Sequence, residues 1–450
     1  MNRILEKAQE TSSETEINEE IYLALRKSIE AGKTEVVGPL LEAGSVNESE
    51  DFSGFSWQTG TTAVLTDLYT DEFYFRATFG LNIESTGRVQ GFSGAGFEEV
   101  KAELVLLAGH LPLNLVPAVV EKTGISEKEI HKIKLKELQP GVAPVSTVKR
   151  TSGKFIPEDA LPLLARALKI LRPERIPNWL LRQALGLEPG NDPVPEGIYL
   201  VEDSLGPGGL YVQGDLDRLL FGIDRGFQSI QLEQGEARWL LRFNPSTATT
   251  HFFSPEGRRE FAELPIPLVM VNGEVSELRT GRPGKDGFLT PAEDESTPAF
   301  LNMVRITVVC SGKITIASSL FSEGLDWKNG LPYLRSKQSE LIIWSTGKDF
   351  QTAETVMGGI EIQEAPGKKI TIEASLVAGG SGLTVSAETG EAEIIGSLAA
   401  KSFSTGGREV SIYHRPPEPS QNSAPDLQVY SETPLFHLSH LRILQWRSLR

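Results

Sequence analysis

RITVVCSGKITIASSLF, residues 305–321, gathers Val, Ile and Thr into short runs broken by Ser-Gly, a pattern of two strands and a tight turn rather than a helix. The same grammar recurs in PLVMVNGEV (267–275), LIIWSTGKDF (341–350), KITIEASLVAGGSGLTVSA (369–387) and AEIIGSLAAKSF (392–403). Each run is expected to alternate inward and outward. Four glycines mark equivalent turns, Gly273, Gly312, Gly347 and Gly382, at spacings of 39, 35 and 35 along the chain. A near-fixed period with strands as the repeating unit predicts a β-solenoid, in which each coil buries its apolar side chains on the next. Glycine suits the corners because they need a positive φ or close backbone approach. A β-sandwich with regular strand spacing is the alternative.

Strands extend upstream through GIYLVED (197–203), GLYVQGDLDRLLFGID (209–224), SIQLE (229–233) and ARWLLRFN (237–244), so the solenoid is expected over 196–415. Residues 245–263 read as less regular, and 280–298 as an exposed polar loop. Residues 110–195 read as a small helical insertion. Ser126 and Glu129 form a capping box ahead of Ile130, Ile133 and Leu138, and Pro157 opens a run with Leu161, Leu164, Leu168 and Leu171 on one stripe. A short third helix is expected over 179–187, and Pro189, Pro193 and Pro195 mark a boundary. Further upstream, Ile17, Ile21, Leu25 and Ile29 give a long N-terminal helix over 1–32 one apolar face. Residues 33–70 read as a long loop with one strand, followed by an antiparallel hairpin of 72–86 and 97–108. Residues 416–434 form a Pro- and Ser-rich tether, and a strand over 435–446 can return to the N-terminal sheet. The expected organisation is therefore an α+β base (1–109), the helical insertion (110–195), the β-solenoid (196–415), and the tether and C-terminal strand (416–450), mainly β overall.

A polar helix, the strand Leu81-Asn82-Ile83-Glu84-Ser85-Thr86-Gly87-Arg88-Val89, a turn, and Val100-Lys101-Ala102-Glu103-Leu104-Val105 resemble the ectodomain of the large minor pilins of bacterial type IV pili. The closing strand Leu441-Arg442-Ile443-Leu444-Gln445-Trp446-Arg447, with Trp followed by Arg, extends the resemblance, as does a β-solenoid inserted into the sheet. The resemblance implies a pilin-like base, an extracellular surface filament, other pilin subunits as partners and an adhesive role. Such pilins begin with a leader-peptidase site and about 20 apolar residues. Residues 1–20 are instead polar and acidic, so membrane contact is expected only through a segment preceding this numbering. If Met1 is the native start, the chain reads as cytoplasmic, and a polymerising solenoid scaffold becomes the alternative.

The formal net charge of −16 over 450 residues repels nucleic acid and anionic membrane unless a local basic patch intervenes. The lone cysteine, Cys310, sits inside a strand run and reads as a buried thiol rather than a nucleophile. No P-loop, nucleophile elbow, zinc-protease or dinucleotide motif occurs, and no cofactor or metal is expected. Asp215 and Asp217 alternate on one strand and so share a face, as the carboxylates of a polysaccharide-active enzyme or a Ca²⁺ site require; a solvated face is the simpler reading. Asp286, Glu293, Asp294 and Glu295 read as a solvated acidic loop. His437 and His440 fall on opposite faces of a regular strand. Arg442, Trp446, Arg447 and Arg450 are the densest candidate set for DNA, through phosphate contact and stacking. Trp327, in a loop, is the candidate for stacking on a glycan or protein, with Tyr333 nearby, whereas Trp344 reads as core. Glycan or protein adhesion is expected ahead of DNA capture.

Overall fold

The computed structural model describes residues 55–70, 74–89, 95–121, 124–136, 149–151, 155–158, 160, 177–203, 206–294, 296–302, 304–328, 330–334, 339–363, 368–414, 429–432 and 435–449. The helix expected over 1–32, most of that expected over 157–171, and nearly all of the tether lie outside these residues. The described residues are mainly β. The chain forms two compact units, residues 1–112, 139–155 and 430–450 in one, and 113–138 with 156–429 in the other.

The first unit holds a four-stranded antiparallel sheet: β1 (Phe55–Thr70), β2 (Tyr74–Val89), β3 (Ala95–Gly109) and the C-terminal strand Leu435–Leu449, in that spatial order. The second half of 33–70, expected as mostly loop, is a full strand. Its alternating run from Phe55 to Thr70 pairs along β2 from Val89 to Phe75. The C-terminal strand pairs with β3 from Leu435 opposite Gly109 to Leu449 opposite Phe97. Val105 and Leu107, two apart on β3, are both buried.

The second unit is a coil of parallel strands. One ladder runs Tyr211, Met270, Val309, Trp344, Val377, Ala399 and Val119, each paired with the next. All seven side chains are at most 2 % exposed. Neighbours on these strands, such as Val308 and Ile343, are equally buried, so this face is covered on both sides. The runs there are continuously apolar for that reason, rather than alternating as expected. A second face does alternate: Leu216, Val275, Ile314, Ile360 and Leu383 point inward, while Lys313 and Glu361 pair outside at 2.5 Å. A third face stacks Ile370–Ile372, the first half of Ala392–Ala400, Val410–His414 and Ile133–Lys136.

The step from one coil to the next shortens along this ladder, from the longest between Tyr211 and Met270 to the shortest between Val377 and Ala399. The step from Val377 to Ala399 is the bare turn of the coil, and the longer ones carry excursions. The first excursion is an antiparallel meander of Phe227–Gln234, Ala237–Asn244, Thr249–Ser254 and Gly257–Phe261, so the stretch 245–263 is more regular than its sequence suggests. The second, within 280–298, is not merely an exposed loop. Leu289–Pro291 doubles back on Val275–Pro283, and Leu289 packs onto Leu220 and Leu240. The third is a hairpin, Leu325–Lys328 with Leu331–Leu334.

Gly273, Gly312 and Gly347 occupy one stacked corner. A Cβ on Gly273 would collide with the Gly214 carbonyl oxygen, and one on Gly312 would lie 2.6 Å from that of Gly273. Continuing the register from Cys310, Ser345 and Ala378 makes Gly380 the fourth equivalent, so Gly382 is two positions out of place. The helical insertion is corrected more deeply. The Ser126 hydroxyl donates to Glu129 Oε2 at 3.1 Å, a side-chain contact in place of the reciprocal backbone bonds of a capping box, and the helix lasts only Glu127–Ile130. Residues 118–121 and 133–136 are instead strands of the last coil, beside Leu398–Ala400 and Val410–Tyr413. Of the expected helices beyond it, Asn178–Ala184 is present and ends just before Gly186, whose φ is +72°.

Candidate functional site

The Trp327 hairpin lies against the third face of the coil. On that face the outward positions in successive strands are Thr371, Glu393 and Ser411, with Tyr413 two positions beyond Ser411. Trp327 meets Tyr413 edge-to-face, with ring centroids 5.8 Å apart and planes at 79°. Lys369 Nζ sits 5.0 Å from the centre of the Trp327 ring and 2.9 Å from Glu393 Oε1. The Thr371 hydroxyl donates to Glu393 Oε2 at 3.5 Å. Lys136, from the last coil, donates to the Tyr413 hydroxyl at 3.2 Å. Across the hairpin, Lys328 Nζ stands 3.6 Å from the Tyr333 ring centre.

Tyr413 is wholly buried under this arrangement, while Trp327 and Tyr333 stay 38 % and 44 % exposed. Two aromatic side chains are therefore partly exposed, each with a lysine in cation–π contact, and Trp327 is backed by Tyr413 of the coil. Such a surface can stack on the C–H face of a sugar or on a partner's side chains, with the exposed Lys369, held by the buried Glu393, in place for hydroxyl groups. Trp327 and Tyr333 are legible in the sequence. Lys369, Glu393 and Tyr413 are not, because all three lie far along the chain from Trp327 and only the coil brings them together.

The other candidates are placed differently. Asp215 Oδ1 accepts the Glu274 backbone N–H at 2.8 Å and Asp217 Oδ2 accepts that of Gly235 at 2.7 Å. Each carboxylate holds a different turn. Asp286 accepts from Arg238 at 2.9 Å, and this guanidinium, with the Phe288 N–H, holds its carboxyl below the usual range. Asp294 closes a local turn on Ser296. Cys310 is fully buried with its Sγ 2.9 Å from the Gly273 carbonyl oxygen, and burial pushes its thiol well up. Trp344 is core, at 2 % exposure.

In the C-terminal strand, Arg442 lies opposite Glu103, Trp446 opposite Val100 and Arg447 opposite Glu99. Positions 442 and 447 thus share the face of Glu103 and Glu99, while 446 belongs to the other, so the register divides the proposed DNA set between two faces. Arg450 lies outside the described residues. An irregularity between Leu438 and His440 adds one residue to the strand. It brings position 440 onto the face of position 437, where a regular strand would separate them.

Among the described residues, no group of three His, Cys, Asp or Glu is placed to hold a metal ion, and no helix is long and apolar enough to cross a membrane. No protein-family model, curated protein or solved structure matches the chain.

Proposed function

We propose that this chain is a structural, adhesive subunit of an extracellular filament of the type IV pilus kind, with a pilin-like base from which a β-solenoid is presented to a surface. Its partners on this reading are other pilin subunits and a surface glycan or protein, with DNA a weaker candidate. The observation that carries the reading is topological. The chain leaves its antiparallel sheet after β3, builds the whole parallel coil, and returns to pair Leu435–Leu449 with β3. A module inserted between two neighbouring strands of one sheet matches the order of features in the pilin resemblance. The exposed Trp327 and Tyr333 supply the adhesive surface.

The coil's ends count against the alternative of a scaffold that polymerises by end-to-end stacking. Its first strand, Gly206–Gln213, is covered by the antiparallel Gly197–Asp203. Lys134 and Lys136 line the last strand, and Arg258, Arg259 and Glu260 line the edge of the meander, the kind of charge that discourages edge pairing. Asp215 and Asp217, each engaged by a backbone amide, lend no support to a polysaccharide-cleaving enzyme. Antibody to the chain is expected to label filaments sheared from the source cell. Label confined to the cytosol overturns the proposal.

A further inference from the structure

On the second unit, a cavity of about 540 Å³ opens between the helix Asn178–Ala184, the turn after it, the corner at Gln213, and the loop that leaves the coil at Lys348. That volume falls in the range of roughly 300–1,000 Å³ typical of small-ligand sites. Beside the apolar surface of Pro177 and Pro193, the lining carries neutral polar side chains, Asn178, Asn191, Gln213, Gln351 and Thr352, with Asp349 as the one charge.

Asp349 is already satisfied. Its Oδ1 accepts the N–H groups of Gln351 (2.8 Å) and Thr352 (2.7 Å), and its Oδ2 accepts Asn272 Nδ2 at 3.1 Å. No bare carboxylate is left to draw a cation, and no Lys, Arg or His lines the cavity to draw an anion. Gln213 Oε1 accepts from the Tyr211 hydroxyl (3.1 Å), Asn272 Nδ2 (3.2 Å) and Gln351 Nε2, which fixes its amide. Its Nε2 donates to nothing among the described residues. Asn178 Nδ2 donates to the Asn191 carbonyl at 3.0 Å, leaving its Oδ1 as an acceptor, and the Thr352 hydroxyl accepts from the Glu354 N–H and keeps its own proton to give. Donors and acceptors thus stand together, uncharged and held by a network made before any ligand arrives, which lowers the ordering cost of binding. A sugar hydroxyl, which gives and accepts at once, fits that mixture. The rings of Pro177 and Pro193 supply apolar wall for its C–H faces.

We infer that this cavity binds a neutral saccharide, at a site separate from the Trp327 hairpin. The test uses the whole chain in isothermal titration and saturation-transfer NMR with cellotriose, maltotriose, triacetylchitotriose and lactose. Trigalacturonic acid serves as the charged comparator, and all are measured at low and at high salt. At least one neutral sugar is expected to bind with an affinity that salt does not change. Asn178→Ala and Thr352→Ala, both at surface positions, should each weaken it about tenfold for the hydrogen bond lost, with the circular dichroism unchanged. Trp327→Ala should leave it unaltered. Binding by none of the four sugars, preference for the galacturonate, indifference to both cavity variants, or loss through Trp327→Ala alone would each overturn the assignment. Any of these leaves the filament proposal standing, since that is read from sheared filaments.

Discussion

His414 closes the strand Val410–His414 with its residue surface half-buried but its imidazole Nε2 shut off from solvent, without a partner among the described residues. The ring is hydrogen-bonded to the Asn114 backbone, and burial lowers its pKa to about 4. An unfolded chain takes up a proton at this imidazole near pH 6.5, whereas the folded chain resists until near 4. Its contribution to stability is therefore complete above about pH 6.5 and lost as pH falls through that window, amounting to about 3 kcal/mol. Denaturant unfolding at pH 7.5 and 4.5 should show the loss, and His414→Phe should flatten that part of the profile. An unchanged slope in the variant would assign the acid lability to other groups. Glycines separate just as cleanly. Gly347 has φ +77° and a Cβ there would lie 2.7 Å from Gly380 Cα, so Gly347→Val should cost about 2–4 kcal/mol. Gly235 has φ +60° with open space around it, and Asn tolerates that conformation, so Gly235→Asn should cost under about 1 kcal/mol. Equal costs at the two sites would remove the stacked corner from the explanation.

The C-terminal strand supplies one whole side of β3's hydrogen bonding, from Gly109 to Phe97. Deleting residues 435–450 should raise amide exchange across Ala95–Gly109 and expose a long edge prone to self-association, while exchange in the coil stays as it was. Loss of protection confined to the coil would contradict this. The strand is legible in the sequence because Leu441, Ile443 and Trp446 follow a Pro- and Ser-rich stretch. The coil is legible too, but for a partly accidental reason. Its near-regular spacing from Gly273 to Gly312 to Gly347 reflects excursions of similar length, whereas the bare turn is the much shorter step from Val377 to Ala399. The last coil stays hidden altogether. Ala118–Glu121 and Ile133–Lys136 find their partners in Leu398–Ala400 and Val410–Tyr413, at the far end of the coil's sequence, and a capping box at Ser126 points locally to a helix that lasts one turn.

At the scale of the whole chain, a net charge of −16 gives no long-range attraction to DNA, and positions 442, 446 and 447 do not share one face of their strand. Any DNA binding should be weak and fall steeply between low and physiological salt, because each phosphate contact releases counterions. Arg447→Glu should abolish it. Adhesion through Trp327 should respond little to salt and should drop several-fold in Trp327→Ala, since stacking on an exposed ring is worth about 1 kcal/mol. Cell-surface and DNA binding assays at two salt concentrations separate these outcomes. Adhesion that survives Trp327→Ala would take the hairpin out of the account.

Local composition alone settled that the chain is mainly β, that glycine marks the coil's corners at Gly273, Gly312 and Gly347, and that Trp327 is exposed while Trp344 is buried. Those properties depend on each residue's immediate neighbours, which periodicity and turn chemistry report. Only the tertiary structure decided which strand lies beside which: that residues 113–138 complete the coil, that Lys369, Glu393 and Tyr413 gather behind Trp327, and that Gln213, Asp349 and Asn178 enclose one cavity. Parallel pairing joins segments as near along the chain as Val377 and Ala399, or as distant as Val119 and Ala399, through backbone groups common to every residue type. The choice of partner is made by how well the side chains of whole coils stack, which no single stretch of sequence reports.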